Sequence, residues 1–287
     1  VTHRLSFFRL FVCVALACYG GQAATAPITM HRISGDGLDD HAVIARVIAS
    51  FDVHGAAARA WYVDALGHHT GVDTAAFHLF SQPMQTATFV SFTYNYTMGG
   101  EPRSRVYHAR SGHNNPWINV PSLTGWRPYS TYLEPRESDV VAEDRTIPIG
   151  TTVTHSPVAD GRHPDARRRD AELKVARRIE REIREGLISA GGELYGFSSQ
   201  EPCESCEAAL EALSDSRGIS VNVSYLAYRS EAYLSFDRMR RQYMTSIHVA
   251  ANGGQLNLLN QEAHASGIAP VAVACIDTPD DGEVDDR

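Results

Sequence analysis

Apolar side chains recur along this chain with two periods, and the places where one gives way to the other predict its elements. Over residues 39–51 (DDHAVIARVIASF), Val43, Ile44, Val47 and Ile48 share one face behind an acidic start, the spacing of a first helix. Residues 86–97 (TATFVSFTYNYT) are dense in aromatic and β-branched side chains. With 98–102 as a glycine-containing turn and 103–109 as a second run, they predict a β-hairpin. From 110 to 163 the pattern decays into Asn, Pro, Gly, Ser and Thr around Trp117 and Trp126, which predicts an irregular insertion.

Periodicity returns at Asp170. Val175, Ile179, Ile183 and Leu187 stand four apart, so 170–187 is predicted as an amphipathic helix. A short strand at 193–199, a helix at 203–213 and an alternating strand at 219–228 follow. Next come a helix at 231–243, a short strand at 245–250, a helix at 256–265 and an apolar run at 269–276. Strands alternating with helices imply an α/β fold, a three-layer α/β/α core that is mainly parallel with an antiparallel hairpin at one side.

The ends read differently. Residues 1–26 have the three-part layout of a secretory signal, with Arg4 and Arg9, an apolar run from Leu10 to Cys18, and small residues after Gly20. Export is therefore expected. The apolar run is too short to span a bilayer and no other stretch reaches that length, so the mature chain is expected to be soluble and off the membrane. Residues 277–287 (DTPDDGEVDDR) predict a disordered acidic tail. Across all 287 residues Asp and Glu outnumber Lys and Arg by 34 to 26, so any polyanion-binding surface must be local. Away from the ends stand Cys203, Cys206 and Cys275, an odd count that does not describe a disulfide framework.

The chemistry concentrates at two predicted helix starts, Asp170-Ala171-Glu172 and Pro202-Cys203-Glu204-Ser205-Cys206. Glu172 and Cys203 are 31 positions apart, enough for a helix, a turn and a strand, so both starts can lie on one sheet edge. Cys203 and Cys206 share a helix face, and a helix N-terminus favours thiolates. Two thiolates and the Asp170 carboxylate suit Zn²⁺ with a fourth position left for water. Glu172, not a ligand, would carry that water's proton, provided that Asp170 stands at the helix boundary where both carboxylates reach one point.

These residues resemble the zinc-dependent cytidine deaminase-like superfamily, and within it the bacterial toxin deaminases, whose signature pairs a ligand-x-Glu motif with Pro-Cys-x-x-Cys. Pro202, Cys203 and Cys206 match one half, and Asp170 with Glu172 match the other, with Asp where better-known members carry His. The resemblance implies a deaminase-like domain over 27–276, with the insertion at 110–163, and parallel last core strands joined by a helical crossover. It further implies hydrolytic deamination of a nucleobase, with cytosine in nucleic acid expected ahead of adenine or a free nucleoside. A secreted toxin or effector setting and an immunity-protein partner are family expectations. Related deaminases carry pocket residues after the hairpin, where this chain has His108, His113, Asn114 and Asn115.

Each feature has a plainer explanation. Asp170 and Glu172 are good helix-start residues, and the cysteines of an exported protein can form a disulfide, a redox pair or a structural metal clip. His163 is an alternative ligand to Asp170. The basic run Arg162, Arg167, Arg168, Arg169, Lys174, Arg177, Arg178, Arg181 and Arg184 is either a salt-bridged helix face or a phosphate contact beside the pocket, with Arg169 nearest the proposed ligands. Arg238, Arg240 and Arg241 would join such a contact if they share its side.

Overall fold

The hairpin lies within the sheet, and its alternating residues Val90, Phe92, Tyr94, Tyr107 and Ala109 present one apolar face to a helical layer. The computed structural model describes residues 28–35, 40–68, 74–113, 129–133, 139–154 and 166–265. The secretory-signal and acidic-tail expectations, Cys275, and the apolar run at 269–276 lie outside these residues, as do Asn114, Asn115, Trp117, Trp126, Arg162 and His163. In chain order the elements are β1 (Thr29–Ile33), α1 (Asp40–His68), α2 (Thr74–Thr86), β2 (Phe89–Met98), β3 (Glu101–Arg110), β4 (Asp139–Val141), α3 (Ala171–Arg184), β5 (Glu193–Ser198), α4 (Glu204–Arg217), β6 (Ser220–Leu226) and α5 (Glu231–Ala265). Among the described residues, no helix is long and apolar enough to cross a membrane.

The six strands form one mixed sheet in the order β1-β6-β5-β2-β3-β4. β2 is antiparallel to both β3 and β5, whereas β5–β6, β6–β1 and β3–β4 are parallel. Val90, Phe92 and Tyr94 of β2 bury against α3 and α4, in a core that also holds Val175, Ile179, Leu210 and Leu213. On the other face Phe51, Trp61, Phe80 and Phe236 form a second core under α1, α2 and α5. Full burial of each such side chain contributes roughly 1.5–3 kcal/mol, which makes these two cores the main source of stability. Gly196 of β5 lets the strands close, since a Cβ there would stand 2.4 Å from the Phe92 ring.

Helices on both faces of a mixed sheet agree with the expected α/β class. One predicted strand is absent: residues 245–250 continue α5, which also absorbs the helix expected at 256–265. The reason is spacing, because Phe236, Arg240, Met244, Ile247 and Ala251 are buried at intervals of three and four, a helical stripe that keeps α5 on α1. A parallel crossover from β6 to a strand at 245–250 therefore does not occur. Its place beside β6 is taken by β1, with Thr29 opposite Asn222 and Ile33 opposite Leu226. The insertion is not wholly irregular either, since β4 lies within it and the backbone amides of Thr152 and Val153 bind the buried Glu180 of α3.

Candidate metal centre

β5 ends and β2 begins at a common sheet edge, where Phe89 and Ser199 exchange hydrogen bonds. α3 and α4 both begin at this edge. Asp170 is the residue before α3, with extended backbone (φ −65°, ψ 146°), and Cys203 precedes α4 in the same way (φ −82°, ψ 162°). Neither side chain caps its helix. Asp ordinarily occupies this position by accepting a backbone amide, and here the carboxylate is turned to the sulfurs instead.

Asp170 Oδ2 lies 3.3 Å from Cys203 Sγ and 3.4 Å from Cys206 Sγ, and the two sulfurs are 3.2 Å apart. These three atoms form a near-equilateral triangle, and they are the metal-capable group found among the described residues. With zinc bonds of about 2.3 Å to sulfur and about 2.0–2.2 Å to oxygen, tetrahedral geometry asks for edges of about 3.5–3.8 Å. A few tenths of an ångström of expansion admits an ion, so the residues fit the group. Three protein ligands leave one position open.

Glu172 completes the arrangement without occupying a corner of the triangle. It is 3% exposed, its Oε2 is 3.5 Å from Cys206 Sγ, and its Oε1 is 2.9 Å from Ser198 Oγ. Burial pushes its carboxyl above the usual range, with hydrogen bonds from its own backbone amide and Ser198 acting the other way. The Ser198 hydroxyl has one proton and two acceptors in reach, Glu172 Oε1 and, at 2.7 Å, the carbonyl of Gln200. An ionised Glu172 takes that proton; a neutral Glu172 donates to Ser198 while Ser198 turns to Gln200. The serine therefore accommodates both states of a proton carrier.

Four acidic groups meet here with one ion-pairing cation among the described residues, Arg167, 3.8 Å from Asp170. The shared thiol hydrogen bond pulls Cys203 below its ordinary value and raises Cys206, which burial and the two carboxylates raise further. Without a cation the cysteine pair thus retains a proton. A divalent ion relieves that crowding, which is the electrostatic case for metal at this point. Both cysteines are free thiols in this structure.

The residues expected to bind substrate are placed differently from one another. Arg169 is beside the centre, its guanidinium 3.2 Å from Asp144 and its carbonyl accepting the Gly112 amide. His108 is buried on the sheet face away from α3, 3.2 Å from Asp139. Asn114 lies outside the described residues. His113 is on the edge, and its carbonyl accepts from Arg110. Arg240 is buried against Asp237 and the Ala87 carbonyl, and Arg241 binds Asp237, so both are engaged within the fold.

Three residues at the site escape sequence reasoning. Ser198 gives no motif signal. Lys174 reads as one of many basic residues, yet its ammonium is buried and holds the Arg110 and Gly112 carbonyls at 2.7 Å, pinning the turn after β3 to α3. Burial, with Arg110 next, lowers its pKa to about 7. His54 is buried near Arg110 and Lys174, where burial and then those cations hold it well below its ordinary pKa. Its position one turn past Phe51 would have marked it had the first helix been extended. The chain matches none of the family models, curated proteins or solved structures compared with it.

Proposed function

We propose that this protein is a zinc-dependent hydrolytic deaminase acting on a nucleobase, with cytosine in nucleic acid as the expected substrate, of the cytidine deaminase-like kind. The observation that carries the reading is the Asp170–Cys203–Cys206 triangle with buried Glu172 alongside it, 3.5 Å from Cys206 and engaged by Ser198. The strand β5 between the two helix starts and the helix layers on both faces support the reading, whereas the helical 245–250 segment departs from the branch with a parallel crossover there. A zinc ion held by Asp170, Cys203 and Cys206 would supply Lewis-acid activation of water, lowering its pKa towards neutrality.

The chain's own groups then account for the proton. Deamination adds the oxygen of water to the amino-bearing ring carbon, breaks the C–N bond and releases ammonia. Glu172 takes one proton from the water and delivers it to the ring nitrogen, then takes the second from the hydroxyl left on the ring carbon and delivers it to the departing amine. Its burial favours the neutral carboxylic acid, and Ser198 favours the carboxylate, so the two oppose each other at the group that must exist in both forms. A secreted toxin or effector role, with an immunity protein as partner, belongs to the same proposal through the resemblance of the motifs.

The test is deep sequencing of DNA and RNA exposed to wild-type protein and to Glu172→Ala. Uracil at former cytosines, lost in the variant, supports the reading. Inosine at former adenines would keep the deaminase and change the base. Unaltered nucleic acids and free nucleosides, with metal-free protein whose Cys203 and Cys206 are oxidised to a disulfide, would replace it with a redox or structural role for the pair.

A further inference from the structure

α3 sends its acids inward and its arginines outward. Glu180 is fully buried and held by Thr152, Val153 and Arg217, and Glu182 is fully buried between Tyr107, Arg105 and Arg178. Glu182 neutralises Arg178 one turn before it, which leaves Arg181 and Arg184 of the helix without an ion-pairing acid among the described residues. Arg177, Arg178, Arg181 and Arg184 line a narrow crevice between α3 and the 143–151 segment, with Arg145 on its far wall. Glu143 and Asp144 also line it, but Asp144 is engaged by Arg168 and Arg169. Among the described residues Arg145, Arg181 and Arg184 make no ion pair within 4 Å. Burial, then Arg145 and Arg178, pull Arg181 below the ordinary arginine value, the sign of like charges held close.

Such a concentration on a chain with net charge −8 calls for an anionic ligand. Its direction identifies the kind. Asp170 stands just before α3, Arg177 beyond it is held by the Val153 and Arg168 carbonyls, and with about 1.5 Å of rise per residue Arg181 and Arg184 lie about 16 and 21 Å along the axis from Asp170. A row of this length running from the metal centre suits successive phosphates of one strand whose base is at the centre. The crevice is too narrow to swallow a phosphate, so the contacts form across its mouth.

We propose that the arginine-lined mouth between α3 and residues 143–151 is a phosphate track for single-stranded nucleic acid, leading a polymeric substrate to the Asp170–Cys203–Cys206 centre. The inference rests on the deaminase reading for its direction and deepens it by selecting a polymer over a free nucleoside. Phosphate contacts of this kind set register and affinity and carry no base information.

Fluorescence polarisation of labelled DNA and RNA oligonucleotides of about 12 residues, with the full chain, tests it over about 50–200 mM salt. Wild-type protein is expected to bind, and Arg181→Ala/Arg184→Ala to weaken binding about tenfold or more at the lowest salt. Its log–log salt slope should fall by about 1.4, two single-strand contacts at about 0.7 each. Arg46→Ala/Arg59→Ala, the same charge change on exposed α1 positions, should retain wild-type affinity. Equal affinity of wild type and the α3 variant, or no oligonucleotide binding by wild type, overturns the track. Groove-dependent binding without any altered base upholds the track and removes the deaminase reading, so the two failures are distinct.

Discussion

Replacing Ser198 with alanine isolates the support given to the proton carrier. The hydroxyl is fully buried and 2.9 Å from Glu172 Oε1, so no solvent replaces it when it is removed. A hydrogen bond to a charged group contributes about 1.5–3 kcal/mol, which at about 1.4 kcal/mol per tenfold is a loss of roughly 10- to 150-fold in kcat/KM. The pH profile separates this from a packing effect. Ser198 is one of the groups that hold the Glu172 carboxyl down against burial, so its removal lets the carboxyl rise. The acid limb of kcat/KM, which reports ionisation of the base, should therefore move to higher pH in Ser198→Ala. Uracil formation from a cytosine oligonucleotide across pH is the assay, with zinc content of each sample measured in parallel. A wild-type acid limb and rate in a zinc-loaded variant would refute the role assigned to Ser198.

Three further outcomes follow from the geometry. In metal-free protein the folded state holds the Glu172 proton more tightly than the unfolded chain, so the penalty of the buried carboxylate is fully present above the folded value. Glu172→Gln should then be more stable than wild type at alkaline pH, with the gap closing in thermal melts as pH falls towards the unfolded carboxylate range of about 4.3. Chelation should lower the melting temperature, because metal at about 100 times its Kd contributes about 2.7 kcal/mol, or about 5–10 °C for a chain of this size; unchanged melts with and without chelator would deny a folded-state metal site. Gly196→Ala drives a methyl to 2.4 Å from Phe92 and should cost about 1–3 kcal/mol in denaturant melts, a loss that Phe92→Leu in the same chain partly restores.

The centre is legible in the sequence because each half is local: Asp170 and Glu172 are two positions apart, Cys203 and Cys206 are three apart, and one helix and one strand bring the halves together. Only the orientation of Asp170 needed coordinates, since a capping carboxylate and a ligand carboxylate have the same sequence. The hairpin and α3 are legible for the same reason of local periodicity. What escaped was set at long range. β1 is short and largely exposed, and it becomes a strand by pairing with β6 almost two hundred positions later. The β-branched Thr245, Ile247 and Val249 favour a strand locally, but burial of Met244, Ile247 and Ala251 against α1 keeps them helical. α2 conceals itself behind Pro83, although Phe80 and Met84 mark its buried face. The outward Arg181 and Arg184 of α3 look balanced by Glu180 and Glu182 until the fold commits those acids to Arg217 and Arg178.

The central claim is that two helix starts hold one ion with a corner left open, and X-ray absorption at the zinc edge of purified protein tests it directly. The account predicts about one zinc per chain, with two sulfurs at about 2.3 Å and two lighter ligands at about 2.0–2.2 Å, and loss of that signal in Cys203→Ala. A four-sulfur shell, a shell without sulfur, or no zinc beside an oxidised Cys203–Cys206 pair would contradict it.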